Sequence, residues 1–369
     1  MWQRPQQFLS RLSARHRVLF VEGPVPSDKV KNATVNLREV SDYPNIVVVQ
    51  MQMPATRWQD GAWVDKERRR LVQSVLAGPL GSNFEDPVQW FYDPMAVTAF
   101  AGHLDERALV YDCMDQLSQF KGAPPELVRR ERELLAVADV VFAGGPKMWV
   151  DKREHNANCF SYGCGVDVNH FGRARQETTE IPADVRNFSG PVLGYFGVVD
   201  ERIDYDLLAG LADHDPEWNV VIVGPTTKVD PAMFPKRPNL HWLGGRDYSQ
   251  LPAYAKRFDV CLMPFAINEA TEFINPTKAL EYMATATPIV STAIEDVVLQ
   301  FSEVVRVAAT HKNFIADCAR EASRPTKARI QRGLAMARRN TWDSIVTQLE
   351  QHVEEVIGAE SRAVATTAA

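Results

Sequence analysis

The sequence predicts an α/β protein with two Rossmann-like domains, each built on a parallel sheet with helices on both faces. Short apolar runs of strand length alternate with helical segments along most of the chain. A stretch without periodicity, residues 172–190, separates an earlier series of such runs from a later one and is predicted to be the interdomain linker. The 369 residues, 45% of them hydrophobic, are enough for two sizeable cores.

The first series starts with an amphipathic helix over residues 3–15, with Phe8, Leu9 and Leu12 on its apolar side. The strands and further helices follow from apolar runs and charged periodic segments. They are strands at 17–22, 45–50, 88–92, 108–112, 139–143 and 159–162, and helices within 60–80 and 125–138. A doubly wound domain normally begins with a strand, so we expect that the first strand is missing or that Met1 is a mis-assigned start.

The second series repeats the alternation of strands and helices. Its strands are predicted at 191–196, 218–223, 240–243, 259–263 and 288–292, with a weaker edge strand at 304–307 and helices at 204–213 and 248–257. Residues 311–357 are predicted to be mainly helical.

The helix predicted after the strand at 259–263 carries the strongest functional signal. Asn275 and Pro276 form a strong helix start, because Asn accepts from free amides and Pro has no amide to satisfy. Such a helix directs its unpaired amides at the crevice where open α/β sheets bind ligands. Lys278 is disfavoured in a first turn unless an anion lies in front of it. The alternative is an ordinary capped helix with solvated Lys278 and Glu281.

Five motifs in order resemble those of bacterial nucleotide-sugar glycosyltransferases of the GT-B fold, family 4 type. They are Trp2-Gln-Arg-Pro-Gln-Gln7, Tyr111-Asp-Cys-Met-Asp115, Gly163-Cys-Gly-Val-Asp-Val-Asn-His-Phe171, Gly194-Tyr-Phe-Gly-Val-Val-Asp-Glu-Arg-Ile-Asp204 and Asn275-Pro-Thr-Lys-Ala-Leu-Glu-Tyr-Met-Ala284 with Thr287-Pro-Ile-Val-Ser-Thr292. The resemblance implies two domains facing each other across a cleft. The two domains are an acceptor-binding domain at 1–178 and a donor-binding domain at 188–339. A helix at 340–358 is expected to return to the first domain, followed by a frayed tail at 359–369.

The resemblance also implies roles for the opening helix. Glu281 is expected to accept from a ribose hydroxyl, while Asn275, Thr277 and Lys278 lie at the helix end that faces the donor diphosphate. Phe273 stands where many relatives carry a second glutamate, which leaves open whether transfer is retaining or inverting.

The glycine-rich loops are the second part of the predicted donor site. Gly197 and Gly244 are expected where backbone approaches the donor, or else in tight turns. Arg202 lies where relatives present a basic residue to the diphosphate; the alternative is an ion pair with Glu201 or Asp204.

Three aspartates at strand ends are candidates for the acceptor side. Asp93, Asp112 and Asp115 are expected at the cleft, and an inverting transfer needs one carboxylate to take the proton of the attacking hydroxyl. Asp115 is the preferred base, since Asp112 is expected to be engaged by loop backbone. The alternative for each is a turn-capping aspartate.

The composition of the chain bears on which classes of partner, cofactor or metal ion it is expected to bind. The formal charge of -6 argues against a general nucleic-acid binder, and no cofactor or metal-ligand motif is recognised among the eight histidines and five cysteines. We therefore expect a metal-independent protein of the cytoplasm. Arg4, Arg11, Arg15 and Arg17 suggest a contact with anionic lipid head groups at the inner face of the membrane, although packing of the apolar face of the helix at 3–15 on the sheet is the favoured alternative.

The function predicted is transfer of a sugar from a nucleotide diphosphate sugar to a hydroxyl of a glycan or lipid-linked acceptor. One alternative is a nucleotide-sugar epimerase of the same fold. The other is a non-catalytic nucleotide-sugar-binding partner subunit. The sequence leaves the base, the sugar, the acceptor and the oligomeric state open.

Overall fold

A computed structural model describes residues 3–119, 122–268, 271 and 277–367. Contacts divide the described residues into two compact units. The N-terminal unit comprises those within Trp2–Gly144, Met148–Tyr162 and Val346–Ala369, and the C-terminal unit those within Gly145–Lys147 and Gly163–Ile345. The domain boundaries predicted from the sequence stay predictions.

Before residue 163 the chain forms two sheets and short helices. The strands are β1 (Val18–Val21), β2 (Val25–Ser27), β3 (Thr34–Glu39), β4 (Ile46–Pro54), β5 (Val88–Phe91), β6 (Ala108–Cys113), β7 (Val140–Ala143) and β8 (Cys159–Ser161). The helices are α1 (Arg4–Leu12), α2 (Gly61–Leu76), α3 (Val97–Phe100), α4 (Leu127–Val137) and α5 (Pro146–Lys152).

The two sheets of the N-terminal unit differ in strand direction. β5, β6, β7 and β8 form a parallel sheet in that order, as predicted, and β6 is buried along its whole length. The other sheet has the order β1-β4-β2, and β3 pairs with β4 in the antiparallel direction. An entirely parallel first domain was therefore a wrong expectation.

The C-terminal unit is a single doubly wound sheet. Its strands are β9 (Val192–Phe196), β10 (Asn219–Val223), β11 (Leu240–Gly244), β12 (Val260–Met263), β13 (Ile289–Thr292) and β14 (Arg306–Ala308). Its helices are α6 (Val168–Gly172), α7 (Ala183–Arg186), α8 (Tyr205–His214), α9 (Leu251–Ala255), α10 (Lys278–Thr285), α11 (Glu295–Phe301), α12 (His311–Ser323) and α13 (Lys327–Arg339).

All six strands of this sheet are parallel, in the order β11-β10-β9-β12-β13-β14. The chain runs outward from β9 to β11 and then returns to the other side of β9 as β12. The strand order therefore reverses between β9 and β12, which is where open α/β sheets place their ligands. Gly194 lets the ring of Phe258 pack on β9, because a Cβ there would lie 2.3 Å from that ring.

Residues 172–190, predicted to be a linker, are partly structured. They contain α7, and Val185 within it is fully buried in the core of the C-terminal unit. The prediction failed because a single buried side chain in a four-residue helix leaves no periodic pattern.

The last helix, α14 (Trp342–Thr367), joins the N-terminal unit from Val346 onward. The ring of His352 stacks on Phe160 of β8 at a centroid distance of 3.8 Å, and its Nε2 lies 2.9 Å from the hydroxyl of Tyr162. These contacts hold the helix on the face of the parallel sheet.

Candidate functional site

The loop after β9 crosses the carboxyl ends of the neighbouring strands in the C-terminal unit. The amide of Val199 donates to the carbonyl of Pro225 beyond β10, at 2.9 Å. On the other side, the amide of Asp204 donates to Pro264 at 2.8 Å, and that of Ala266 donates to the carbonyl of Arg202 at 2.9 Å. The loop is thus tied to backbone on both sides of the switch point, which fixes the side chains that it carries.

Gly197 starts this loop and has a backbone conformation that favours glycine, with φ of +156°. Its amide donates to the carbonyl of Val223 at 2.9 Å. A Cβ at this position would lie 2.5 Å from the hydroxyl of Tyr195 and 3.0 Å from Cε of Lys278. Tyr195 and Lys278 therefore lie close to Gly197, and the predicted approach of its backbone to the donor stays a prediction.

Lys278 and Glu281 form an ion pair in the first turn of α10. The Lys278 Nζ to Glu281 Oε2 distance is 2.9 Å, and the side chains are only 17% and 14% exposed. Nζ also lies 5.5 Å from the centre of the Phe196 ring at the end of β9. The alternative with both side chains solvated was wrong, because the pair is held against the strand end.

Thr277 precedes this turn with helical backbone angles, and its carbonyl accepts from the amide of Glu281 at 3.3 Å. The side chain of Thr277 makes no capping hydrogen bond. Asn275 and Pro276, predicted to open the helix, lie outside the described residues.

Arg202 forms an ion pair, but with a residue that the sequence analysis did not choose. Its Nε lies 2.9 Å from Oδ1 of Asp200, and its Nη2 lies 2.6 Å from Oδ2. Neither of the predicted partners contacts it in this way. Oε1 of Glu201 lies 3.8 Å from Nζ of Lys228. The carboxylate of Asp204 accepts from the amide of Leu207 in the first turn of α8 and pairs with His311.

The hydroxyl of Tyr195 lies among these charged groups and donates to the carbonyl of Val198 at 3.0 Å. Burial raises the pKa of Tyr195, the nearby Arg202 lowers it, and the Asp200 and Glu281 carboxylates raise it further. Two cations, each paired with a carboxylate, therefore converge on one strand end.

Gly244 ends β11 in the left-handed region, with φ of +72°, and its carbonyl accepts from the amide of Gly224 at 2.9 Å. The structure therefore shows a left-handed backbone at the end of this strand, and the predicted contact with a base stays a prediction.

His170 contacts the segment after Gly244. Its ring stacks on Tyr248 at 4.2 Å, and its Nε2 lies 3.0 Å from the carbonyl of the same residue. Burial lowers the pKa of His170, which favours the neutral ring. The motif Gly163–Phe171 was the available signal for this residue, but its histidine has no ligand-like spacing.

The three aspartates of the N-terminal unit have different environments. Asp115 follows β6 and is half-buried, and its carbonyl accepts from the amide of Leu117 at 3.0 Å. Asp93 accepts from the amide of Met95 at 2.9 Å, as expected for a turn cap. Asp112 is fully buried and is bound by a guanidinium rather than by loop backbone, because Nε of Arg4 donates to it at 2.9 Å.

The position of Arg4 corrects one prediction about membranes. The residue is only 5% exposed and also donates from Nη1 to the carbonyl of Tyr162 at 2.7 Å, so it cannot touch lipid head groups. Arg15 pairs with Glu350 of α14. Lipid contact through Arg11 and Arg17 stays a prediction.

Within the described part of the chain, no group of three His, Cys, Asp or Glu side chains is placed to hold a metal ion. None of its helices is long and apolar enough to cross a membrane.

Comparison with known proteins agrees with this geometry. Residues 191–321, which contain β9 to β13 and α10, match the family described as glycosyl transferases group 1. The chain is 24% identical over 203 residues to the putative teichuronic acid biosynthesis glycosyltransferase TuaH of Bacillus subtilis. That match covers 50% of this chain and 50% of the length of the relative.

Solved structures resemble the whole chain. An α,α-trehalose-phosphate synthase (UDP-forming) from Burkholderia xenovorans superposes with a TM-score of 0.68 at 13% identity, covering 96% of each chain. A sucrose-phosphate synthase from Thermosynechococcus elongatus gives 0.67 at 16% identity, covering 96% of this chain and 93% of its own. The chain therefore has the GT-B fold with two Rossmann-like units, and its residues 191–321 are similar to the glycosyl transferases of group 1.

Proposed function

We propose that this chain transfers a sugar from a nucleotide diphosphate sugar to a hydroxyl of a glycan or lipid-linked acceptor. The bond between the anomeric carbon and the diphosphate breaks, a bond to the acceptor oxygen forms, and the acceptor hydroxyl loses its proton. The B. subtilis relative, named for teichuronic acid biosynthesis, supports a polysaccharide as the acceptor class.

The observation that supports this proposal most is the Lys278–Glu281 pair beside Gly197, at the reversal of strand order between β9 and β12. On donor binding, Lys278 exchanges the carboxylate of Glu281 for a phosphate oxygen. Glu281 is then available to accept from a ribose hydroxyl, the role implied by the family resemblance. One exchange thereby recognises both the diphosphate and the sugar of the nucleotide.

The same groups stabilise the leaving diphosphate without a metal ion in our proposal. Charge that develops on the leaving oxygens is offset by Lys278, by Arg202 and by the amides at the start of α10. Addition of a chelator should therefore leave the transfer rate unchanged, and a strict requirement for added Mg²⁺ or Mn²⁺ would contradict this part.

Asp115 is our proposed base if the transfer inverts the configuration of the sugar. It follows the buried strand β6 and is half-buried, at the carboxyl end of a strand in the parallel sheet. In a retaining transfer the leaving phosphate takes the proton instead. Asp115→Asn should abolish an inverting transfer while donor binding persists.

The donor site is tested by calorimetric titration of the chain with UDP, GDP, ADP and dTDP. Lys278→Ala and Glu281→Ala should each weaken binding of the preferred diphosphate by about tenfold or more, since each removes a charge-assisted hydrogen bond. Asp213→Ala is the matched control. It breaks an exposed ion pair with Arg237 in the same unit and should leave affinity unchanged. Equal affinity in wild type and both site variants would refute this donor-site placement.

Product analysis then separates the alternatives. A transferase releases nucleotide diphosphate only when acceptor is supplied. An epimerase alters the sugar with donor alone, and a binding subunit shows affinity without turnover.

A further inference from the structure

Asp200 and Arg202 form a bidentate ion pair at the proposed donor site, in the loop after β9. Asp200 is 5% exposed, while Arg202 is 24% exposed at its side chain. A buried carboxylate thus holds a guanidinium that reaches the surface of the strand-end region. Such an arrangement orients the cation toward whatever enters from outside.

The contact fixes both the backbone and the side chain at position 202. Oδ1 of Asp200 accepts from the amide of Arg202 at 3.0 Å and from its Nε at 2.9 Å. Oδ2 accepts from Nη2 at 2.6 Å. Nε and Nη2 form one edge of the planar guanidinium, and the opposite edge, with Nη1, points away from the carboxylate.

Asp200 is itself fixed by its surroundings. Its carbonyl accepts from the hydroxyl of Tyr205 at 3.0 Å, and the loop that carries it is tied to Pro225 and Pro264 by backbone hydrogen bonds. The guanidinium therefore has little freedom to search for a phosphate, and less side-chain entropy is lost when one binds.

We infer that Asp200 is a positioning residue that presents the outer edge of the Arg202 guanidinium to the diphosphate of the donor. This inference rests on the proposed function. It makes the affinity for the phosphates depend on a carboxylate that does not itself touch the ligand. Removing that carboxylate leaves the arginine in place but frees its side chain to adopt other rotamers.

The test compares a nucleoside diphosphate with its parent nucleoside, using UDP with uridine, GDP with guanosine, ADP with adenosine and dTDP with thymidine in calorimetric titrations. The dissociation constant of the nucleoside divided by that of the diphosphate measures how much the phosphates contribute to affinity. Asp200→Asn should lower this ratio by about tenfold, and Arg202→Ala should lower it at least as much. The double variant should be no weaker than Arg202→Ala alone, because both changes act through one contact. Asp200→Glu, which keeps the charge, should restore part of the ratio.

Asp204→Asn is the matched control on the same loop. Asp204 accepts from the amide of Leu207 and pairs with His311, so its loss disturbs the fold without touching Arg202. A purely structural role for Asp200 would weaken nucleoside and diphosphate equally and leave the ratio unchanged. Diphosphate binding by the wild type with an unchanged ratio in Asp200→Asn would overturn this inference alone. If the wild type binds no diphosphate, both this inference and the proposed function fail.

Discussion

Gly197 is the position in the candidate site where a single methyl group should matter most. A Cβ there meets the hydroxyl of Tyr195 at 2.5 Å and Cε of Lys278 at 3.0 Å, and the backbone φ of +156° disfavours any other residue. The added atom must displace the hydroxyl of Tyr195, and it crowds Cε of Lys278, the cation proposed to bind phosphate. The substitution should therefore affect both folding and binding.

We predict that Gly197→Ala lowers the affinity for the preferred nucleoside diphosphate by at least tenfold and the free energy of unfolding by about 1–3 kcal/mol. Calorimetric titration and urea unfolding measure the two effects. Gly210→Ala is the control, because its Cβ meets only Cδ1 of Ile315 at 3.6 Å within helix α8, and it should stabilise by about 0.5–1 kcal/mol. A Gly197→Ala protein with unaltered affinity would contradict the proposed position of the phosphate.

Asp296, in the first turn of α11, should make stability depend on pH. The residue is 2% exposed, and burial raises the pKa of its carboxyl to about 6. Its Oδ1 accepts from the amide of Lys147 at 3.4 Å, while Glu295 takes the ammonium group of the same lysine. The folded state therefore holds the proton more tightly than the unfolded chain, whose Asp pKa is about 4.

The sign follows from that order of pKa values. Asp296 contributes stability below pH 4, and this contribution is lost as the pH rises through about 6. Asp296→Asn has no such titration, so the unfolding free energy of the wild type should fall relative to the variant by roughly 2 kcal/mol between pH 4 and 7.5. Urea unfolding across this range measures it. Glu295→Gln should reduce this fall, because the Glu295 carboxylate helps to raise the pKa of Asp296. A flat difference for Asp296→Asn would contradict the assignment.

At the scale of elements, the end of helix α10 carries a conformational cost. Ala286 follows the helix, and its backbone is left-handed, with φ of 65° and ψ of 25°. A Cβ is disfavoured in that region by about 1–2 kcal/mol, whereas glycine adopts it freely. The backbone is therefore strained at the end of helix α10, whose first turn carries Lys278 and Glu281 of the candidate site.

We predict that Ala286→Gly raises the free energy of unfolding by about 0.5–1 kcal/mol, the strain relieved minus the extra freedom of glycine in the unfolded chain. Ala284→Gly is the matched change two residues earlier, in helical geometry and fully buried, and should destabilise by about 1 kcal/mol. Thermal and urea unfolding of both proteins measure the difference. Two losses of equal size would show that residue 286 is not left-handed in solution.

Elements formed by long apolar runs were predictable from the sequence, and elements formed by pairing were not. The strands β9 and β12 were predicted to within one residue, because every residue in them is buried and apolar patterning records that burial. β3 was missed since five of its six side chains are exposed, and only its pairing with β4 makes it a strand.

The candidate site likewise contains one ion pair that was predictable from the sequence and one that was not. Lys278 and Glu281 were found because their spacing of three places them together on one helix face, where they do pair. Asp200 was missed as the partner of Arg202, because residues two apart meet only when a turn brings them together. That turn depends on hydrogen bonds to Pro225 and Pro264, which are distant in sequence.

At the scale of the molecule, the two units have separate cores and separate sheets, and the candidate donor site lies entirely within the C-terminal unit. A ligand that binds only a folded unit adds RT ln(1 + [L]/Kd) to the cost of unfolding it, about 2.7 kcal/mol at 100 times Kd. The N-terminal unit gains this stabilisation only if it unfolds together with the other.

We therefore predict that saturating nucleoside diphosphate slows amide hydrogen exchange mainly in the C-terminal unit. The effect should be largest at 194–204 and 277–285, the loop after β9 and helix α10, and roughly a hundredfold for amides that exchange through unfolding of the whole unit. The buried strand β6 should exchange at an unchanged rate. Lys278→Ala, whose affinity should be about tenfold lower or more, should reduce this protection to roughly tenfold or less at the same ligand concentration, which separates site binding from a general solvent effect. Protection centred on β6 instead would place the nucleotide in the N-terminal unit and refute the role proposed for Gly197, Arg202 and Lys278.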